Sequence, residues 1–269
     1  TTLVVSTYAS SGGFNSPYAL VNVAGSLFVA DTNNQSIRKI DTAQAVTTLA
    51  GNPNYYGATD GTGSAAIFNF PKGITAVGTD LYVADTSNYL IRKVTAGGVV
   101  TAFAGSSQSS GYVDGSSGVK FGTPFSVAAN ATYVFVSDSA NNSIRSVKIS
   151  DATVATVAGS TSSAPGTTDA TGTAARFNNP AGIVSDGANT LYVADANNHA
   201  IRKIDLSTTP ATVTTIAGTA GTANYGSADG TGAAAKFNTP MGLALDTANG
   251  ILYVSVSYTH LRAHETRED

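Results

Sequence analysis

The chain has 269 residues, of which 12% are charged, and its formal net charge is −3. This sparsely charged, weakly acidic composition gives no basic surface for a polyanion, so the sequence predicts no nucleic-acid partner. The absence of cysteine excludes disulfides and cysteine zinc sites, and no segment approaches the roughly 20 apolar residues of a transmembrane helix.

A segment of 14 residues occurs four times along the chain. Each copy reads apolar, aromatic, Val, small, Asp, with Asn three residues after the Asp and Ile-Arg shortly afterwards. The copies occupy residues 27–40, 81–94, 134–147 and 191–204, and their shared aspartates lie 53 to 57 residues apart. A period of this length is typical of β-propellers and solenoids.

Each copy belongs to a pattern of four short strands, which residues 71–105 illustrate. Pro71 opens one apolar run, and residues 81–84 form a second run after a short turn. At Asp85 we predict a turn in which the side chain bonds backbone N–H groups just ahead. Residues 91–94 and 99–104 then supply the third and fourth strands. Near-continuous apolar strands require cover on both faces, which favours the stacked antiparallel blades of an all-β propeller.

The motifs Pro-x-Gly, Leu-Tyr-Val-Ala-Asp-x-x-Asn, Ile-Arg-Lys-Ile and Val-Thr-Thr-Ile-Ala-Gly resemble the NHL repeat family of β-propellers. The resemblance covers residues 1–255 and implies a β-propeller of four-stranded antiparallel blades, six in the native ring. Four full NHL-type blades and a partial terminal blade are expected to begin near residues 17, 71, 124, 180 and 240. The resemblance also implies a closing outer strand, which we expect from residues 1–5.

The repeat stops at Val256, which stands where the other copies have Asp. The residues after it match no third strand, and they hold two Glu and two of the three His of the chain. From this break in composition we predict that residues 256–269 form a non-repeat tail that is not native and resembles translated vector sequence. The histidines of the tail are therefore not interpreted as metal ligands.

One face of the disc is expected to carry most of the variable polar residues. In an up-and-down blade, the turn between the second and third strands lies on the same side as the long connection to the next blade. Such connections often bind ligands. Each contains Gly-x-x-Asp, and its carboxylate suits either turn capping or calcium; capping is favoured because each loop supplies one carboxylate. These aspartates are Asp60, Asp114, Asp169 and Asp229.

The Asp, Asn and Arg of the repeated segment are predicted to stabilise each blade. A residue needed in every blade has a local role, and Arg is suited to pair with nearby carboxylates or loops. Binding of a ligand at the central opening is the alternative. The set comprises Asp31, Asn34, Arg38, Asp85, Asn88, Arg92, Asp138, Asn141, Arg145, Asp195, Asn198 and Arg202.

Residues that break the repeat are the candidates for recognition, because tyrosines on loops supply amphipathic contact surface. For His199, packing within the repeat is the alternative, since NHL repeats commonly have His after this Asn. The candidate binding residues are Tyr55, Tyr56, Tyr112, Arg176, His199 and Tyr225, and Lys120 and Lys236 also break the pattern.

These features predict a noncatalytic scaffold that recognises a protein or carbohydrate through the long-loop face. No cofactor and no metal site is predicted: related propeller enzymes use three histidines or a Glu-containing calcium site, whereas one His and no Glu precede the tail. The alternative is a propeller hydrolase or lyase with catalytic residues partly outside this sequence. Low charge and abundant Thr, Ser, Ala and Gly suggest an extracellular, periplasmic or cell-surface module of a longer bacterial protein, of open oligomeric state.

Overall fold

The computed structural model describes residues 7–8, 12–256 and 261–265, which form β-strands joined by turns and short 3-10 helices. The strands build five antiparallel sheets, blades 1 to 5, in the predicted propeller arrangement. Four blades contain all four strands, and the fifth contains three. The closing strand expected from residues 1–5 lies outside the described residues.

The strands are numbered in chain order. Blade 1 comprises β1 (Pro17–Val23), β2 (Ser26–Asp31), β3 (Ser36–Ile40) and β4 (Val46–Gly51), and blade 2 comprises β5 (Gly61–Thr62), β6 (Pro71–Val77), β7 (Asp80–Asp85), β8 (Leu90–Val94) and β9 (Val99–Gly105). Blade 3 comprises β10 (Pro124–Ala129), β11 (Tyr133–Asp138), β12 (Ser143–Lys148) and β13 (Val154–Gly159). Blade 4 comprises β14 (Pro180–Ser185), β15 (Thr190–Asp195), β16 (Ala200–Asp205) and β17 (Thr212–Ala217), and blade 5 comprises β18 (Pro240–Asp246), β19 (Ile251–Val256) and β20 (Leu261–Glu265).

Apart from β5, which lies at the outer edge of blade 2 beside β9, the strands of each blade pair in chain order from the centre outward. The innermost strands, β1, β6, β10, β14 and β18, pack against one another in the same order. Residues from all five of these strands line a central cavity of about 300 Å³. The strand bounds match the predicted pattern, and the four-strand repeat is confirmed.

The glycine of the Pro-x-Gly motif is required where neighbouring inner strands meet. A Cβ atom on Gly73 of β6 would lie 2.6 Å from the Cα of Ser126 on β10. A Cβ atom on Gly182 of β14 would lie 2.4 Å from the carbonyl oxygen of Met241 on β18. Because glycine has no Cβ, these backbones can approach closely around the channel.

The hydrophobic core is divided into layers between adjacent blades. One layer joins Phe28 and Ile37 of blade 1 to Leu81 of blade 2, and Phe68 from the connection between the blades is fully buried in it. Burial of each such ring stabilises the fold by about 1.5–3 kcal/mol. The strands are therefore covered on both faces, as predicted. The equivalent buried rings are Phe121, Phe177 and Phe237.

The long connections also extend the outer edges of the blades, which the sequence did not indicate. Gly61–Thr62 pairs with β9 as a fifth strand of blade 2. A single bridge between Gly115 and Val154 repeats this contact in blade 3. A bridge between Thr171 and Thr212 does the same in blade 4, so the connections into blades 2, 3 and 4 reach the outer edge before they return to the centre.

Blade 5 contains a third strand although the repeated motif is missing there. Val256 belongs to β19 and lies opposite Pro240, and Leu261–Glu265 pairs with β19 in antiparallel register. Strand pairing requires an extended backbone and available N–H and C=O groups. A segment without the motif can therefore occupy this position, and the origin of residues 256–269 stays a prediction.

Replacing Gly73 with Ala should lower the free energy of unfolding by about 1–3 kcal/mol, because the added methyl group forces β6 and β10 apart. Denaturant unfolding measures this change. Gly97→Ala is the matched control: the nearest atom to a Cβ there is Thr95 Oγ1, at 3.9 Å, so no loss is expected. Equal losses in the two variants would contradict the close-contact explanation.

Candidate functional site

The turns of the repeated segments and the long connections lie on one face of the propeller. In blade 2, the first residue of the inner strand, Pro71, pairs with Asp85 at the end of the second strand. At the same end, Gly105 of the fourth strand pairs with Leu90 of the third. The prediction of a shared long-loop face is thus confirmed. Its connections are residues 52–70, 106–123, 160–179 and 218–239.

Asp85 joins three segments of blade 2 through its fully buried carboxylate. Its Oδ1 accepts a hydrogen bond from the backbone N–H of Asn69 at 2.8 Å. Its Oδ2 accepts bonds from Asn88 Nδ2 at 2.7 Å and from Arg92 Nη1 at 2.9 Å. The same Asp, Asn and Arg contacts occur in the other full blades, through Asp31, Asn34 and Arg38, through Asp138, Asn141 and Arg145, and through Asp195, Asn198 and Arg202.

The prediction that these aspartates bond backbone N–H groups of the turn that follows them is wrong. A 3-10 turn follows Asp85, but the carboxylate accepts no capping bond from that turn. It accepts the N–H of Asn69 instead, which lies before the inner strand of the same blade. The side chain therefore fastens the entry of the inner strand to the end of the second strand.

The asparagines connect the turns to the long connections. Asn88 Nδ2 donates to the carbonyl oxygen of Gly57 at 2.6 Å, in addition to its bond with Asp85. Both hydrogens of the amide are thereby used. Asn34, Asn141 and Asn198 bond the carbonyl oxygens of Gly13, Gly111 and Gly166 in the same manner, each at 2.7 Å.

A buried guanidinium holds each of the first three long connections against its blade. Arg92 is fully buried, and it pairs with Asp85 and, through Nη2, with Asp60 of the connection at 2.7 Å. Nη2 also donates to the carbonyl oxygen of Thr59 at 3.0 Å, and the guanidinium carbon lies 5.3 Å from the centre of the Phe68 ring. In the same arrangement, Arg145 pairs with Asp138 and Asp114, and Arg202 pairs with Asp195 and Asp169.

The loop aspartates Asp60, Asp114 and Asp169 thus have arginine partners instead of the turn-capping role favoured by the sequence. Asp60 pairs with Arg92, and Asp169 both pairs with Arg202 and accepts the backbone N–H of Thr215 at 2.9 Å. Among the described residues, no three His, Cys, Asp or Glu side chains are grouped so that they could hold a metal ion.

Burial makes the ionised form of the turn carboxylates costly. Desolvation raises the pKa of Asp85 and of Asp195 to about 6, although each accepts hydrogen bonds and faces an arginine. It also raises the pKa of Asp138. The arginine is therefore needed to keep these buried groups ionised near neutral pH.

Three of the predicted recognition residues are exposed on the long connections. Tyr55, Tyr56 and Tyr225 are 59%, 63% and 61% exposed, respectively. The ring of Tyr56 lies 5.7 Å from that of Phe70, and the ring of Tyr225 lies 5.7 Å from that of His199. These tyrosines form two separate sites on the long-loop face, which we call the rim tyrosines.

Two further candidate binding residues make contacts within the fold. Tyr112 is half-buried, its hydroxyl bonds Thr156 Oγ1, and its ring lies 4.5 Å from the Arg145 guanidinium carbon. Arg176 donates to carbonyl oxygens of its own connection, Thr173 at 2.6 Å and Ala175 at 2.7 Å. The structure therefore separates Tyr112 and Arg176 from the exposed rim tyrosines.

His199 links blade 4 to blade 5. It has a left-handed backbone (φ 54°), and its Nδ1 accepts the N–H of Thr239 at 3.0 Å. Gln35 and Asn142 make the same blade-to-blade bond in blades 1 and 3, to Phe70 and Asn179. Burial lowers the pKa of His199, opposed by a bond with the backbone of Thr222.

A cluster that the sequence did not predict lies at the starts of three inner strands, beside the residues that line the central channel. Tyr18, Lys72 and Phe125 each follow the proline that begins an inner strand. The Tyr18 and Phe125 rings lie 5.2 Å apart, and Lys72 Nζ lies 4.5 Å from the Phe125 ring centre. The available signal was the residue that follows the first proline of each inner strand, which differs in every blade. We call these residues the channel-mouth cluster.

Comparison with known sequences identifies the repeat. A family model of the NHL repeat matches residues 177–204. NHL repeat-containing protein 2 of Homo sapiens is 29% identical over 288 residues, covering 93% of this chain and 39% of that protein. Protein SUPPRESSOR OF QUENCHING 1, chloroplastic, of Arabidopsis thaliana is 29% identical over 265 residues, covering 90% and 24%. The chain thus spans less than half the length of these relatives.

Solved structures with the same fold have diverse descriptions. An auxiliary nutrient binding protein from Bacteroides thetaiotaomicron superimposes with a TM-score of 0.66 at 17% identity, covering 91% of this chain and 57% of that one. A chain of a nidogen/laminin complex gives 0.59 at 16%, covering 89% and 73%. A virginiamycin B lyase from Staphylococcus aureus gives 0.57 at 12%, covering 94% and 71%. At these identities the likeness shows the fold.

Arg92→Met should lower the free energy of unfolding by about 3–5 kcal/mol, because it leaves Asp85 buried without its counter-charge. Asp85 would then fold only in its neutral form, whereas in the unfolded chain it ionises above its ordinary pKa of 3.8. The loss should therefore increase as pH rises, and denaturant unfolding at pH 5 and pH 8 measures it. Asp60→Asn is the control: this half-exposed group should cost under about 1 kcal/mol, and an equal loss there would contradict the explanation.

His199→Asn should remove a pH dependence of stability. With the folded pKa of His199 lowered below its ordinary 6.5, the unfolded state binds more protons, so wild-type stability falls as pH drops below about 6.5. Asn keeps the acceptor and suits positive φ, as Asn142 shows. Melting temperatures between pH 5 and 7.5 test this, and an unchanged acid-side decrease in His199→Asn would contradict it.

Proposed function

We propose that this chain, an NHL-repeat β-propeller, is a noncatalytic binding scaffold that recognises a protein or a carbohydrate through its long-loop face. The observation that carries this proposal is the placement of the rim tyrosines. Tyr55 and Tyr56 project from a connection that the buried Arg92 holds. Tyr225 projects from a connection whose backbone is held by the bonds of Gly221 N–H to the carbonyl oxygen of Asn198 at 3.1 Å and of Gly226 N–H to that of Phe237 at 2.9 Å. The exposed rings are thus presented on an ordered backbone. Aromatic residues on such a backbone contribute contact area at low cost in conformational entropy.

Two rim tyrosines occupy equivalent positions in different connections. Tyr56 precedes Gly57 and Tyr225 precedes Gly226, and both glycines donate to a buried phenylalanine carbonyl, of Phe68 and Phe237 respectively. The other two connections have Ser110 and Pro165 at this position. The recognition surface therefore differs between blades while the supporting backbone is kept.

The polar residues of the repeat are occupied by bonds within the fold, which favours binding over catalysis. The recurring aspartates and arginines bond one another and the loop backbone. His199 Nδ1 accepts the N–H of Thr239, so the proton of the neutral ring lies on Nε2 and neither nitrogen is left as a free base. Among proteins of the same fold, the descriptions nutrient binding and nidogen/laminin complex support recognition of a small ligand or a protein.

We further propose a location outside the cytoplasm in a bacterial cell. Low charge and the abundance of small and hydroxylated residues support it, as do structural neighbours from Bacteroides. The named sequence relatives come from a human and a plant source, one of them chloroplastic. Within the described residues, no helix has the length and apolar character needed to span a bilayer.

The double variant Tyr56→Ala/Tyr225→Ala should lose at least about tenfold in affinity for its partner, because exposed aromatic anchors typically carry a large share of binding energy. Labelled wild-type protein would be applied to an oligosaccharide array and to a panel of purified secreted proteins, and affinities for every hit compared between variants.

Tyr253→Ala is the matched control, since this tyrosine is also exposed (41%) but lies on β19. It should bind like wild type, and both variants should melt like wild type because exposed substitutions cost little stability. Hits that bind the double variant undiminished would remove the rim tyrosines as the recognition surface.

A further inference from the structure

The residue after the first proline of each inner strand differs in every blade. Elsewhere the repeated segments place similar side chains at equivalent positions, whereas this position holds five different ones: Tyr18, Lys72, Phe125, Ala181 and Met241. The surrounding backbone is fixed by the close packing of inner strands at Gly73 and Gly182. Different side chains can therefore occupy this position without altering the packing of the inner strands.

Two aromatic rings meet across the channel mouth. Tyr18 belongs to blade 1 and Phe125 to blade 3, yet their ring centres are 5.2 Å apart with an interplanar angle of 87°. Lys72 of the intervening blade lies beside both, with Nζ 4.5 Å from the Phe125 centre and 5.6 Å from the Tyr18 centre. Such distances give a cation–π contact with each ring.

The ammonium of Lys72 has no carboxylate partner among the described residues. Lys93 and Lys148 pair with Asp80 and Asp151 at 2.7 and 3.1 Å. The aspartates of the neighbouring turns are already bonded to arginines. The rings hold the ammonium in place but accept none of its three N–H groups as a carboxylate would.

The positive charge of Lys72 is not balanced by the neighbouring Tyr18 hydroxyl. Burial raises the pKa of Tyr18 to about 12, so its hydroxyl stays neutral and supplies no anion to Lys72. Burial also lowers the pKa of Lys72. A half-buried ammonium without a counter-ion gains most from an incoming anion, because the local dielectric is lower than in water.

The central cavity begins beside the cluster, because Tyr18 and Phe125 directly precede the lining residues Ala19 and Ser126. It can hold the rest of a small molecule. Its volume of about 300 Å³ is at the lower end of small-molecule sites. Most lining side chains are apolar, and the inner strands are sheet edges whose backbone N–H and C=O groups can bond a ligand. The lining includes Leu20, Ile74, Val127, Ile183 and Leu243.

We propose that the channel mouth binds the carboxylate of a small organic acid, with Lys72 as its ion partner and the body of the acid in the channel. Tyr18 and Phe125 position the ammonium. This site is separate from the rim tyrosines, and it does not depend on recognition by them.

The test is an NMR titration of the full chain with two acids of different type, hexanoate and glucuronate, and with their neutral counterparts, hexanamide and glucose. At least one acid should bind and its neutral counterpart should not. Hexanoate alone would identify an apolar acid and glucuronate alone a sugar acid, and either result supports the carboxylate site. Failure of both acids to bind would overturn it.

Lys72→Met should weaken acid binding at least tenfold, and Lys72→Arg should retain most of it. Lys93→Met is the matched control and should bind like wild type, because Lys93 lies on β8 and pairs with Asp80. Melting curves show whether each variant is folded, and Lys72→Gln replaces the Met variant if that one is not. Binding that survives in a folded Lys72→Met or Lys72→Gln would overturn the proposal. Acid binding by Tyr56→Ala/Tyr225→Ala should be unchanged, which separates this site from the rim.

Discussion

The fold depends on a guanidinium buried between two carboxylates in blades 2 to 4. Taking such ions out of water costs several kcal/mol each, and the structure offsets this with a full set of partners. Arg92 has two carboxylates, two backbone carbonyls and the face of Phe68 around it. The long connections contribute one buried ring each to the core and little other apolar area. Because the arginine bonds both the turn and the connection, it determines where the connection lies.

The sequence predicts the architecture well because the period is imposed by local geometry. The spacing of Asp31, Asp85, Asp138 and Asp195 marks the same turn four times, and the apolar runs around them are long enough to define strands. The contacts between segments could not be predicted in the same manner. The N–H that Asp85 accepts belongs to Asn69, and this pairing depends on how the connection enters the inner strand. Strand β5 likewise forms because its connection reaches the blade edge, and its two residues carry no strand signal.

The candidate site was predicted in part, and an offset of two positions relative to the repeated glycine explains why Tyr56 is exposed and Tyr112 is not. Tyr56 precedes the glycine whose carbonyl bonds Asn88, and its ring is exposed, whereas Tyr112 follows the equivalent Gly111 and its ring packs against Arg145. Both read as loop tyrosines in the sequence. Lys72 was missed because its ring partners come from strands about 50 residues away in either direction. Only the packing of blades 1, 2 and 3 side by side brings these three residues together.

Stability and recognition use different positions in each repeat, which leaves the recognition residues free to vary. The Asp, Asn and Arg of a blade are bonded to one another, so a change at any of them alters the fold before it alters binding. The rim tyrosines and the channel-mouth cluster take no part in those bonds. Tyr56 packs on Phe70, two residues before Lys72, but the N–H of Phe70 is held by Gln35 of the preceding blade at 2.6 Å. The backbone that leads to Lys72 is therefore fixed by a bond that does not involve the Tyr56 ring, and the two surfaces can be altered independently.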